Sequence, residues 1–193
     1  MKDIIASIIT SVLTALYQPF WFSVILSVLV LFFYLFSYHN ETGGRGIRGA
    51  FSVWWQFFKG SAFFRKLFFL TFYTTMILFR TLLNRDMWMN PLSDVMGNWW
   101  IWKYGNDGTR NLTTECIENL MLFIPFTILL FWTAGKRILK KTTFRNAVWT
   151  GLKITFAFSL SIESLQLFLR LGTFQVSDLT YNTLGGGIGG AVY

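Results

Sequence analysis

Charge and reactive side chains are what this chain has least of. Its 193 residues include one cysteine, Cys116, and one histidine, His39. A lone cysteine closes no intrachain disulfide and builds no thiolate metal cluster, so Cys116 is expected to pack in a core. His39 stands beside Asn40 and Glu41 at the mouth of a loop, where a metal would need ligands from elsewhere. It reads as a solvated loop residue, and neither a metal nor a cofactor is expected. Charged residues make up only 13%, which excludes an ordinary soluble enzyme. The N-terminus has no basic leader and no small-residue cleavage pattern, so no removable signal peptide is expected.

What the chain has in abundance is apolar surface. Hydrophobic residues reach 53%, aromatic residues 20%, and the mean hydropathy is +0.47. That composition belongs to integral membrane proteins, and the length allows several spans of about 20 residues with no separate soluble domain. The net charge of +8 does not imply nucleic acid, because the basic residues flank apolar runs, where they set topology and meet anionic head groups.

Apolar runs at Phe20–Tyr38, Leu67–Leu83, Leu120–Ala134 and Trp149–Leu169, with a shorter Gly-rich run at Tyr181–Tyr193, predict an all-α polytopic transmembrane bundle of five crossings. The segment Ile4–Tyr17 places isoleucine, valine and leucine on one stripe and Ser7, Thr10, Ser11 and Thr14 on the other. At about 1.5 Å per residue it is short for a crossing, so it reads as an amphipathic interfacial or re-entrant helix, with a sixth span as the alternative. Residues 1–65 then hold this segment, the first span and a basic loop, and residues 66–193 a four-span membrane domain.

Loops 39–66 and 135–147 are rich in Lys and Arg, which makes them cytoplasmic, whereas the mixed-charge loop 84–115 and the turn 171–180 belong outside. In the first basic loop, Phe51, Trp54, Trp55 and Phe58 recur at i, i+3, i+4 and i+7. They predict a helix lying on the inner leaflet, with a partner-binding face as the alternative. The outer loop carries Trp88, Trp99, Trp100, Trp102 and Tyr104, either as an interfacial aromatic belt or as part of a ligand surface.

Polar residues inside the apolar runs are the sharpest clue. Ser159, Glu163, Gln166 and Arg170 share one helical face, and Asp178 and Asn182 follow across a turn. An ionisable group at membrane depth is costly and faces a protein interior, which makes it a site candidate. Arg170, or Arg80 on the second span, could neutralise a buried carboxylate. Asn119 enters the third span from the same side, and Pro125 within that span frees a backbone carbonyl one turn earlier. Gly185 with Gly189 and Gly186 with Gly190 form two small-xxx-small pairs, the pattern of close helix packing.

Three segments in order, Glu118-Asn119-Leu-Met-Leu-Phe-Ile-Pro125-Phe, Ser-Ile-Glu163-Ser-Leu-Gln166 and Asp178-Leu-Thr-Tyr-Asn182-Thr-Leu-Gly185, resemble the VanZ-like family of bacterial membrane proteins. The likeness extends to Thr81-Leu-Leu-Asn84-Arg85 and Asn90-Pro91-Leu, and so covers about residues 66–193. It implies a multi-pass protein of the bacterial plasma membrane associated with reduced susceptibility to teicoplanin. The family's shared positions map to Asn119, Pro125, Glu163, Gln166, Asp178, Asn182 and Gly185, with Thr127 where a glycine is usual and Ser177 in place of an acid.

Three functions fit these residues. The polar cluster could bind or shield a lipid-linked cell-wall precursor or a lipoglycopeptide at the outer leaflet, with membrane lipids as partners. It could belong to a membrane-embedded enzyme or transporter, with Glu163 or Asp178 as general acid or base and Arg170 or Asn182 stabilising charge. Or it could lock helices together. The absence of a Ser-His pair, a His-rich metal site and an activated cysteine places the enzyme reading behind the other two. The sequence leaves the oligomeric state open.

Overall fold

The computed structural model describes residues 6, 9–11, 13, 14, 17–38, 46–85, 87–104, 109–139 and 141–193. Glu41, Arg45, Asp86, Asp107 and Lys140 lie outside the described residues, as do His39 and the pair Gly43-Gly44. The all-α bundle is present. Its helices are α1 (Phe20–Tyr38), α2 (Ile47–Gly60), α3 (Ala62–Leu78), α4 (Glu115–Ile138), α5 (Phe144–Leu169) and α6 (Val176–Val192).

α3 runs on through a π turn at Phe79–Leu83, and among the described residues α1, α3 with its π turn, α4 and α5 are the four helices long and apolar enough to cross a membrane. α6, at 17 residues, is shorter, yet it runs through the same depth between α4 and α5. At its start Asp178 faces Asn119 of α4, and at its end the Tyr193 ring packs on Phe131, with its hydroxyl close to Gly135.

Burial is inverted relative to a water-soluble fold. α1 buries Ser23, Ser27, Leu31 and Leu35 and exposes Trp21, Ile25, Leu29, Phe33 and Phe36. Large apolar groups outside and small or hydroxyl-bearing ones inside are what helix packing in lipid requires, because lipid gives apolar side chains no reason to hide. Ser23 and Ser27 let α1 approach α3, and the Ser27 hydroxyl donates to the Ser23 carbonyl.

α3 joins two packing clusters. At one end Phe64 meets Leu31, Leu35 and Trp54, and at the other Ile77 meets Phe123, Phe126 and Ile162. The aromatic stripe of α2 therefore divides: Trp54 is buried against α1 and α3, while Phe51 and Trp55 remain exposed. The stripe predicted for the leaflet surface is thus partly a packing face. Arg65 then donates to the carbonyls of Phe58 and Lys59, satisfying the end of α2.

The ends of the bundle differ in character. One gathers Lys59, Arg65, Lys66, Lys136, Arg137 and Arg145, tied together where Thr133 donates to the Lys66 carbonyl. The other holds a short antiparallel pair of strands, β1 (Trp102–Tyr104) against β2 (Arg110–Leu112), within the stretch that the sequence predicts as the outer loop. We call these the basic end and the hairpin end. Of the N-terminal segment, the described residues at 9–11, 13 and 14 are helical, with Ile9 and Leu13 exposed. Ser11 hydrogen-bonds Thr114 and Gln18 accepts from Asn84, so this stretch lies against the hairpin end.

Candidate functional site

The α6 glycines determine how closely the site helices approach. A Cβ at Gly185 would stand 2.2 Å from the Leu120 carbonyl oxygen, and one at Gly189 2.6 Å from that of Ile124, both on α4. A Cβ at Gly186 would meet Thr155, and one at Gly190 the Ala147 carbonyl, both on α5. Each small-xxx-small pair thus serves one neighbour, and α6 is wedged between two backbones. The Tyr73 hydroxyl donates to the Leu122 carbonyl at 3.0 Å, one residue past Met121, whose carbonyl is the one that Pro125 leaves without its helical N–H.

That wedge brings the polar residues of α5 and α6 together near the hairpin end. Glu163, only 3% exposed, accepts from the Gln175 backbone N–H at 2.9 Å. Gln175 is the residue before α6, so the carboxylate occupies the donor-rich start of that helix, where negative charge is favoured. Asn182 donates to the Ser159 hydroxyl at 2.8 Å, while its buried carbonyl oxygen has no partner among the described residues. Gln166 donates at 2.7 Å to the carbonyl of Thr81, inside the π turn. A π turn breaks the regular helical ladder, and a buried amide from α5 satisfies a carbonyl there. Asp178 lies in the first turn of α6 with the Asn119 amide facing it.

Six polar residues were singled out from the sequence, and five of them converge: Asn119, Glu163, Gln166, Asp178 and Asn182. Arg170 does not. α5 ends at Leu169, and Arg170 takes a left-handed conformation (φ 55°) with an exposed side chain, its carbonyl accepting from Trp88. Arg80 is also committed elsewhere, to an ion pair with Glu118, which the Thr114 hydroxyl also contacts. The cation whose charge reaches both Glu163 and Asp178 is Arg85. It follows the π turn, outside any helical periodicity, and its only sequence signal was membership of the Thr81–Arg85 segment.

The aromatic loop is fastened down over this cluster. Phe174 donates to the Pro91 carbonyl and Val176 to that of Val95, each at 2.9 Å, and Tyr181 reaches the Trp99 carbonyl at 2.7 Å. Gly97, at φ 66°, sits so close that a Cβ there would fall 2.1 Å from the Ser177 hydroxyl oxygen. The loop is therefore part of the site's wall. At the same end of the bundle opens a cleft of about 480 Å³, lined by Thr10, Ser11 and Thr14. Arg80, Arg85, Glu115 and Glu118 supply its charged groups. Among the described residues no group of His, Cys, Asp and Glu could hold a metal ion.

Fold and site together define a small multi-pass helical membrane protein with a buried polar cluster near one end of the bundle. The chain belongs to the VanZ/LLP1 family, whose model, VanZ-LLP1, matches residues 11–193. The match reaches well beyond the segments that carried the resemblance and begins within the N-terminal polar stripe, at Ser11. No curated protein and no solved structure matches the chain.

Proposed function

We propose that this protein binds the polar head of a lipid-linked cell-envelope component at the outer leaflet of the bacterial plasma membrane, and by shielding it lowers susceptibility to teicoplanin. The orientation follows from charge: a basic end rich in Lys and Arg faces the cytoplasm, and the hairpin end faces out. Family membership supports the link to the drug. The observation that carries the binding role is the polar cleft at the hairpin end, the end where an aromatic loop is fixed in place with Trp100 exposed; on this orientation that end meets the outer head groups.

Catalysis is the weaker reading, because Glu163 is engaged by a backbone N–H and lies away from the cleft lining. In a teicoplanin-susceptible bacterium, expression of the wild type is expected to raise the inhibitory concentration, and Glu163→Gln, where folded, to preserve that rise. Replacing Trp99 and Trp100 together by Ala abolishes it. An unchanged inhibitory concentration with abundant, correctly inserted wild type contradicts the proposal.

A further inference from the structure

Among the described residues the cleft at the hairpin end holds four charged groups that are not equivalent. Arg80 and Glu118 form an ion pair, and Glu118 also contacts the Thr114 hydroxyl, so these two close on each other and tie the π turn to α4. Arg85 and Glu115 remain. Both are exposed, and among the described residues neither side chain has a hydrogen-bonded or ion-paired partner. The buried carboxylates that feel Arg85 have local partners of their own, the Gln175 N–H for Glu163 and the Asn119 amide for Asp178. Among the described residues one unpaired cation and one unpaired anion thus line the same cleft of about 480 Å³, together with the hydroxyl-bearing Thr10, Ser11 and Thr14.

Separated charges of opposite sign match a ligand that carries both. A guanidinium presents a planar fork of donors suited to phosphate oxygens, and a carboxylate accepts from a primary ammonium. The cleft also has an apolar exit. Pro19 and Phe79 line it, and the Phe79 ring lies 5.2 Å from that of Phe22. Phe22 is exposed and leads to the exposed Trp21 and Ile25 of α1, a surface suited to acyl chains. We infer that the cleft is a binding site for a zwitterionic phosphoethanolamine lipid, with its phosphate on Arg85, its ammonium on Glu115 and its chains along α1. The inference rests on the lipid-binding reading and outward orientation proposed above, and adds a head-group chemistry and two residues.

Native mass spectrometry of the full chain in mild detergent tests it, with phosphatidylethanolamine, phosphatidylcholine and phosphatidylglycerol of identical chains offered in equal amounts. Phosphatidylethanolamine is expected to bind about tenfold more tightly than the other two, the size of one charge-assisted hydrogen bond. Arg85→Gln lowers its binding by about the same factor. Glu115→Gln erases the preference over phosphatidylglycerol while leaving phosphatidylglycerol binding intact, a pattern that general misfolding would not give.

Free phosphoethanolamine at matched concentration should fail to displace the lipid, and full displacement would rule out a lipid site. Equal binding of all three lipids by the wild type, or unchanged selectivity in both variants, overturns the assignment. A wild type that carries an envelope lipid from its host membrane but shows no ethanolamine preference removes this inference and leaves the proposed function standing. One that selects phosphatidylethanolamine yet retains no lipid-linked envelope component supports the site and removes the proposed function.

Discussion

Glu163 is held by one backbone donor, and that single bond sets what its replacement should do. A glutamine keeps an acceptor for the Gln175 N–H, whereas Glu163→Leu leaves that donor unpaired in the bundle. An orphaned buried donor costs about 1–3 kcal/mol, so the leucine variant should melt clearly below the glutamine variant in detergent. Equal melting temperatures would show that the bond contributes nothing to the fold. Gln166→Leu is expected to lower stability by a similar amount, because the Thr81 carbonyl loses its donor; an unchanged melt would mean that another group takes over. The shared face of Ser159, Glu163 and Gln166 was legible in the sequence because 3.6-residue periodicity holds inside a helix. It failed at Arg170, one residue past the end of α5, where the chain turns left-handed. It was silent on Arg85, because a loop following a π turn has no period to read.

At the level of elements, α6 carries the closest helix contacts in the bundle. Gly185→Ala and Gly189→Ala would each push a methyl into an α4 carbonyl, and overpacking of this kind costs about 1–3 kcal/mol. Each variant should show a lower melting temperature and more aggregate on gel filtration. Gly60→Ala is the control, since no atom lies within 4 Å of the added Cβ, and it should be neutral or slightly stabilising. Normal melting of both α6 variants would contradict the close approach. The two glycine pairs were visible as a spacing, but which neighbour each would meet depended on how α6 sits between α4 and α5. The fastening of the aromatic loop was not legible, because it rests on hydrogen bonds between segments about 80 residues apart, such as Val95 with Val176. The hairpin pairs nearby residues, but three-residue strands such as Trp102–Tyr104 are too short to show a strand's alternation in the sequence. The stripe of α2 misled in part because an aromatic face looks the same whether it meets lipid or the flank of α1 and α3.

For the molecule as a whole, charge asymmetry between the ends predicts the orientation. In a Cys116→Ser background, a single cysteine at Met96 should react with a membrane-impermeant thiol reagent in intact cells. One at Lys141 should react only after permeabilisation. The reverse pattern would place the cleft inside and remove the outer-leaflet role. The central claim is that the hairpin end holds an envelope lipid. Native mass spectrometry of the protein released gently from the membranes of a bacterium that expresses it tests this most directly. The wild type is predicted to retain one envelope lipid well above its share of the host membrane, and folded Arg85→Gln to lose it. Wild type and variant carrying the same unselective lipid coat would contradict the account.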